Sequence, residues 1–243
     1  MTTNRAYDAV AAAVKYVDVL PDPPRKFDMK QRRQIYRIDS ALRPHYAECG
    51  DVLVSGEGYL ISDLLDEYRF APDLIFTRGV KRPEAVIDRN GYVISEVGKP
   101  PDLVLEVASE STGRRDYTIK REGYAKYGIQ EYWRFDETGG SYHDAPLAGD
   151  TFVNGEYRPI PINRETNGLI WGHSEVLGLD VCWDRGMLRF YDPVSGRFLP
   201  NAEELAAERD AAETERDAER AARAAAEKEA RRLREELRQL RSE

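Results

Sequence analysis

One acidic residue inside an apolar run limits what this chain can become more than any other feature. Leu103-Val104-Leu105-Glu106-Val107-Ala108 is almost continuously apolar, the pattern of a central strand covered on both faces. A carboxylate there is costly to bury unless it is paired or bound to a cation. Two Pro-Asp steps upstream, Pro72-Asp73 and Pro101-Asp102, each offer a partner carboxylate. Asp102 and Glu106 are four apart on one strand, so they share a face but stand roughly 13 Å apart. The oxygens around one small cation sit about 2.1 Å from it, and so within a few ångströms of each other. Asp102 is excluded unless the strand bends sharply. Asp73 qualifies if Leu74–Thr77 lies beside Leu103–Ala108. The plain alternatives are a turn aspartate after proline and a glutamate paired with a core arginine.

The flanking pattern gives the sheet its neighbours. Ile35, Ile38 and Leu42 fall at helical spacing from Lys30 onward, and Pro44 should end or kink that helix. A short helix around Tyr7–Val19 precedes it, followed by the breaker Pro21-Asp22-Pro23-Pro24. Strands are expected over Asp51–Val54 and Phe70–Thr77. A hairpin of Ala85–Asp88 with Tyr92–Ser95 should turn at Asn90-Gly91, a type I′ signal. After the central strand comes a helix from Thr112 to Tyr127, stopped at Gly128, and then a strand, Glu131–Phe135. This order implies an α/β domain with a mixed central sheet flanked by helices. The expected domain spans 30–196, with residues 139–196 as a β-rich extension and residues 1–29 as an N-terminal segment.

Residues 197–243 read as a helical tail. Of its last 43 residues, 12 are Ala, 11 Glu and 9 Arg, which explains the high charged fraction of the whole chain. Leu205, Ala212, Ala226, Leu233 and Leu240 share one heptad position, and Ala202, Ala230 and Leu237 share its partner. Arg209, Arg216, Glu219 and Arg223 interrupt that seam. The tail is either a solvated helix held by Glu–Arg pairs or a coiled coil that makes a homo-oligomer, most simply a dimer.

Charge argues against a broad nucleic-acid grip. The net charge is −8, of which residues 201–243 carry −3 and residues 1–200 carry −5. A DNA-binding face would therefore have to be a local patch. The most basic stretch is the helix carrying Arg114, Arg115, Lys120, Arg121 and Lys126. Cys49 and Cys182 form no paired motif, which fits free thiols in a reducing cytoplasm, and no membrane-spanning run is present. His45, His143 and His173 show no zinc spacing, and no nucleophile elbow occurs.

On the same helix Asp116, Lys120 and Tyr124 recur every four residues and line one stripe, which a surface Asp–Lys pair beside a half-buried tyrosine would also produce. Ser109, Ser111 and Thr112 supply hydroxyls for capping its start.

Together these residues resemble a known family. Pro72-Asp73-Leu74 followed by Pro101-Asp102-Leu103-Val104-Leu105-Glu106-Val107-Ala108-Ser109 resembles the PD-(D/E)XK restriction-endonuclease-like superfamily. Within it the chain is similar to the Uma-type endonucleases, through Ser111-Thr112, Asp116, Lys120 and Tyr124 to Trp133. Gly155–Ile160, Ser174–Leu179 and the Ala/Arg-rich tail match a common layout of that family's C-terminal part.

The resemblance implies a nuclease that hydrolyses phosphodiesters, most naturally in DNA, with Mg²⁺ or Mn²⁺ held by Asp73, Glu106 and the backbone carbonyl of Val107. The superfamily lysine would fall on position 108, which is alanine here, and the family pattern moves that role to Lys120. Asp116 would orient Lys120, Ser109 and Tyr124 would support the site, and Arg114, Arg115 and Arg121 would contact nucleic acid. Residues 1–48 show nothing that aligns with the family's opening strand and helix. An inactive nuclease-fold scaffold acting through its coiled coil is the alternative.

Overall fold

The computed structural model describes residues 29–56, 58–64 and 70–241. The expected helix around Tyr7–Val19 and the proline-rich breaker lie outside these residues. The chain divides into two compact units, one ending at Leu199 and one beginning at Pro200.

The first unit is built on a six-stranded mixed sheet. In chain order its strands are β1 (Leu53–Ser55), β3 (Leu74–Thr77), β5 (Leu103–Val107), β6 (Glu131–Phe135), β7 (Leu147–Val153) and β8 (Glu156–Pro159), and they lie side by side in that sequence. Only β5 and β6 run parallel, linked by a helical crossover, α4, over Gly113–Tyr127. Two short strands, β2 (Tyr59–Ile61) and β4 (Gly91–Val93), pair in parallel apart from the main sheet. The β-rich part adds five antiparallel strands, β9 (Asn163–Arg164), β10 (Ile170–Ser174), β11 (Leu179–Asp184), β12 (Met187–Asp192) and β13 (Arg197–Phe198).

Strand alternation sends β5 side chains to two different cores. Leu103, Leu105 and Val107 face a core shared with Ile38 and Leu42 of helix α1 (Met29–His45) and with Leu179, Val181 and Phe190 of the second sheet. Val104 faces the opposite core with Tyr124, Ile129 and Tyr132. Glu106 shares the parity of Val104 and so points toward α4. The helix α1 ends one residue after Pro44, as a proline in the last turn requires.

A buried carboxylate ties the two sheets together. Glu131 accepts from Trp133 Nε1 at 2.9 Å, from Ser174 Oγ at 2.5 Å and from the Val176 amide at 3.1 Å, so each of its oxygens has a donor.

The hairpin expected at Asn90-Gly91 is not formed. Pro83 occupies the first position of a helix, α2 (Pro83–Asp88), where its missing N–H costs nothing. Asn90, at φ 60°, is the left-handed residue that ends this helix instead of the first corner of a type I′ turn. Strand β4 then runs into the single turn α3 (Ile94–Val97) and pairs with β2, a strand that the Gly56–Gly58 region concealed.

The second unit is one long helix, α5 (Ala202–Leu240). Asn201 caps it, accepting from the Glu204 amide while Glu204 accepts from the Asn201 amide, both at 3.0 Å. Arg223–Glu227 and Glu229–Arg232 are exposed pairs along it. Leu205, Leu233 and Leu237 are exposed, at 39%, 47% and 56%. Among the described residues no helix is long and apolar enough to cross a membrane.

Candidate active site

Sheet register brings Asp73 and Glu106 together. Leu74 pairs with Leu105 across the antiparallel β3–β5 ladder, so Asp73, one step earlier, stands opposite Glu106. Opposed residues place their Cβ atoms about 5 Å apart on one face. Asp73 Oδ2 also accepts the Val107 amide at 2.8 Å, which fixes it against β5. Asp102 is engaged elsewhere, on Lys99 Nζ at 2.6 Å and the Arg78 amide at 2.7 Å.

Helix α4 supplies the cation. It consists of a short α-turn (Gly113–Arg115), a π-helical turn (Asp116–Lys120) and an α-helix (Arg121–Tyr127). A π-turn is uncommon and widens the helix locally, often where function demands it. Here it spans both Asp116 and Lys120. Lys120 Nζ lies 2.7 Å from Glu106 Oε2 and 2.9 Å from Asp116 Oδ1. One turn further, the Tyr124 hydroxyl donates to Glu106 Oε1 at 2.5 Å. The stripe of residues 116, 120 and 124 thus meets the strand glutamate from above.

The electrostatics follow from three carboxylates around one ammonium in the interior. Burial pushes Glu106 well above the ordinary glutamate range; Asp116 and Asp73 add to this, and Lys120 opposes it. Burial also raises Asp73, against the pull of Lys120 and the Val107 amide. For Lys120, burial works to lower its proton affinity, but Glu106, Asp116 and Asp73 outweigh it and raise it above the usual lysine value. Tyr124 is likewise raised by burial and by Glu106, so it remains a donor. Three carboxylates share one ammonium, a crowding that a bound cation would relieve.

The residues present fit a hard divalent cation. Gln31 Nε2 donates both to Asp73 Oδ2 at 3.0 Å and to the Val107 carbonyl at 2.9 Å. One amide donor therefore sits where an acidic side chain and a main-chain carbonyl converge, and both are oxygen ligands that Mg²⁺ or Mn²⁺ accepts. Among the described residues no group of three or more His, Cys, Asp or Glu could hold a metal by side chains alone. A cation here would rely on the two carboxylates together with the carbonyl.

Other expected site residues sit differently. Ser109 is buried, and its hydroxyl bonds to Thr112 Oγ1 at 2.8 Å and Ser111 Oγ at 3.3 Å. Its carbonyl, not its hydroxyl, takes the Thr112 and Gly113 amides, so the expected hydroxyl cap is not made. Arg114 and Arg115 are exposed on α4. Arg121 is turned onto Asp150, with two contacts at 3.0 and 2.8 Å, and Asp150 also takes Arg134 at 2.7 Å. That bidentate pair draws Arg121 away from a free phosphate-binding role.

Two residues close to the cluster escape a reading of the sequence. Gln31 extends the buried stripe of Ile35, Ile38 and Leu42 back by one turn, so an amide on an apolar face was its signal. His143 lies in a Gly/Ser-rich loop and reaches Asp116 Oδ2 through Nε2 at 2.9 Å. No local pattern marks it. Cys49 and Cys182 are both free thiols.

A solved structure from Anabaena variabilis, described as a putative nuclease, shares 14% identity over 65% of this chain and 79% of that one, with a TM-score of 0.45. No protein of curated function matches the chain. The family model described as "Uma2: Putative restriction endonuclease" matches residues 23–180, a span that includes Gln31, Asp73, Glu106 and the whole of α4. The chain belongs to the Uma2 family.

Proposed function

We propose that this protein is a divalent-metal-dependent endonuclease that hydrolyses phosphodiester bonds in DNA. The observation that carries the reading is the buried Lys120–Glu106 contact at 2.7 Å beside Asp73. An ammonium is thereby held next to two carboxylates aligned across adjacent strands. Asp73, Glu106 and the Val107 carbonyl would hold Mg²⁺ or Mn²⁺. When bound, the ion supplies a water of lowered pKa and neutralises phosphate charge.

The chain's own groups do the rest. Lys120 keeps its proton, so it serves as a fixed positive charge beside the reacting phosphate and not as a general base. Tyr124 holds one oxygen of Glu106 and leaves the other to Lys120. Arg114 and Arg115, exposed on α4, are suited to contact the phosphate backbone. With a net charge of −5 over residues 1–200, this contact is local, and with two arginines it should weaken only modestly with salt. Free thiols fit a cytoplasmic protein.

The test is to incubate supercoiled plasmid with the protein and Mg²⁺ or Mn²⁺. Cleavage that disappears in Asp73→Ala supports the proposal. Absent cleavage, or cleavage that survives Asp73→Ala, refutes it.

A second reading is favoured by the exposed Leu205, Leu233 and Leu237 of α5. The tail pairs with a second copy as a coiled coil, and the fold works as a scaffold without cutting. It predicts dimers that resist metal chelation and carry no nuclease activity.

A further inference from the structure

His143 is enclosed completely: its side chain is 0% exposed, as is that of Asp116. The loop after β6 puts it there. Asp136 accepts from the amides of Thr138, Tyr142 and His143 at 2.8, 2.7 and 2.9 Å, and from the Thr138 hydroxyl at 2.6 Å. Burial works to raise Asp136, but these donors hold it below the ordinary aspartate range, so it is an ionised clamp on the loop. The loop closes against the start of α4 only because residue 113 is glycine. A Cβ there would stand 2.2 Å from the Tyr142 carbonyl oxygen.

The imidazole faces one acceptor. Nε2 lies 2.9 Å from Asp116 Oδ2, while Nδ1 is buried with no hydrogen-bond partner among the described residues. A proton on Nδ1 would be an orphan donor in the interior, a costly arrangement, whereas a bare Nδ1 is cheaper. The proton therefore belongs on Nε2, directed at Asp116. Asp116 then accepts from His143 on one oxygen and faces Lys120 with the other, at 2.9 Å. Without that donor, Asp116 Oδ2 would be a buried carboxylate oxygen lacking its partner, free to rotate toward Lys120.

We propose that His143 is a positioning residue. Its Nε2–H fixes Asp116 as the carboxylate that holds the Lys120 ammonium over Glu106. It touches neither substrate nor metal and acts through Asp116. The inference rests on the role assigned to Lys120 above, but its geometric part can be tested without catalysis.

The experiment compares wild type with His143→Gln, His143→Leu and Asp116→Asn in the full chain, each first shown to be folded by its thermal melt. Glutamine can place an N–H close to where Nε2 lies; leucine cannot. In plasmid cleavage with saturating Mn²⁺, His143→Leu should lower kcat by about 10- to 100-fold with KM little changed. His143→Gln should restore most of the rate. Adding His143→Leu to Asp116→Asn should cost no further rate, because the two act as one unit.

The second readout is acylation of the Lys120 amine by a succinimidyl ester, followed by mass spectrometry. Lys120 should react severalfold faster in His143→Leu than in wild type or His143→Gln. Unchanged Lys120 labelling in a folded His143→Leu variant overturns the proposal, as does a glutamine variant as impaired as leucine, or additive losses with Asp116→Asn. If wild type cuts no DNA yet Lys120 labelling follows this pattern, the positioning role stands and the nuclease reading fails. If His143→Leu does not fold, labelling and kcat in His143→Gln must match wild type, and a Gln variant with a freed Lys120 overturns the proposal.

Discussion

Lys120 Nζ lies 2.7 Å from Glu106 Oε2 although the two residues belong to different elements, the crossover helix and the central strand. The position two residues after Glu106, just past the end of β5, is Ala108, whose buried methyl group brings no charge to the cluster. The π-turn in α4 carries the ammonium to the glutamate instead. Replacing Lys120 by Met keeps the bulk and removes the charge, leaving three buried carboxylates without their cation. Cleavage should fall by at least about 100-fold, the usual loss for one fixed charge-stabilising group. Stability at neutral pH should fall by about 3 kcal/mol, as for other broken buried pairs. Urea melts and single-turnover cleavage check both, and a variant with wild-type cleavage contradicts the role.

Glu106 titrates above its ordinary value because it is buried among carboxylates. Its native form thus binds a proton more tightly than its unfolded form, and its ionisation destabilises the fold as pH rises from the ordinary glutamate value toward the raised one. Glu106→Gln cannot ionise. In the absence of metal, its melting temperature relative to wild type should therefore climb between pH 5 and pH 8. A difference that is flat or declines with pH would mean that Glu106 is not held in this way.

Gln31 donates to both Asp73 and the Val107 carbonyl, filling with a neutral amide the place proposed for the cation. Gln31→Glu adds a carboxylate beside Asp73. The metal-free protein should melt several degrees lower, consistent with a loss of about 1 kcal/mol or more. The gain in melting temperature on adding Mn²⁺ should exceed that of wild type. Calorimetric melts with and without Mn²⁺ decide this, and equal metal shifts in both proteins would remove Gln31 from the site.

Removing residues 201–243 deletes α5 with its exposed Leu205, Leu233 and Leu237. If the tail pairs two copies, sedimentation equilibrium should give a dimer for the full chain and a monomer for the shortened one. Monomers in both cases would leave the helix solvated and supported by its own Glu–Arg pairs.

The sequence made the strand-level logic legible, because side-chain alternation and ligand spacing are local. An apolar run with one glutamate pointed to a two-faced central strand, and strand geometry rejected Asp102, which the structure shows bonded to Lys99. Helix α4 was readable from its period, but its π-turn was not, since no composition signals one. The false hairpin at Asn90-Gly91 shows the limit of a dipeptide rule. The same positive φ that starts a type I′ turn also ends a helix, and Pro83 had already committed the segment to helix. His143 was illegible for a different reason. Its place depends on Asp136 gathering a loop and on the missing side chain at Gly113, both of them tertiary facts.

Asp73 and Glu106 are proposed to hold a divalent cation beside Lys120. The decisive measurement titrates the metal-free protein into Mn²⁺ and follows the electron paramagnetic resonance signal of the aqueous ion. Wild type should quench this signal, and Asp73→Asn and Glu106→Gln should each weaken the binding by at least about tenfold. Quenching of equal strength in wild type and both variants would contradict that proposal.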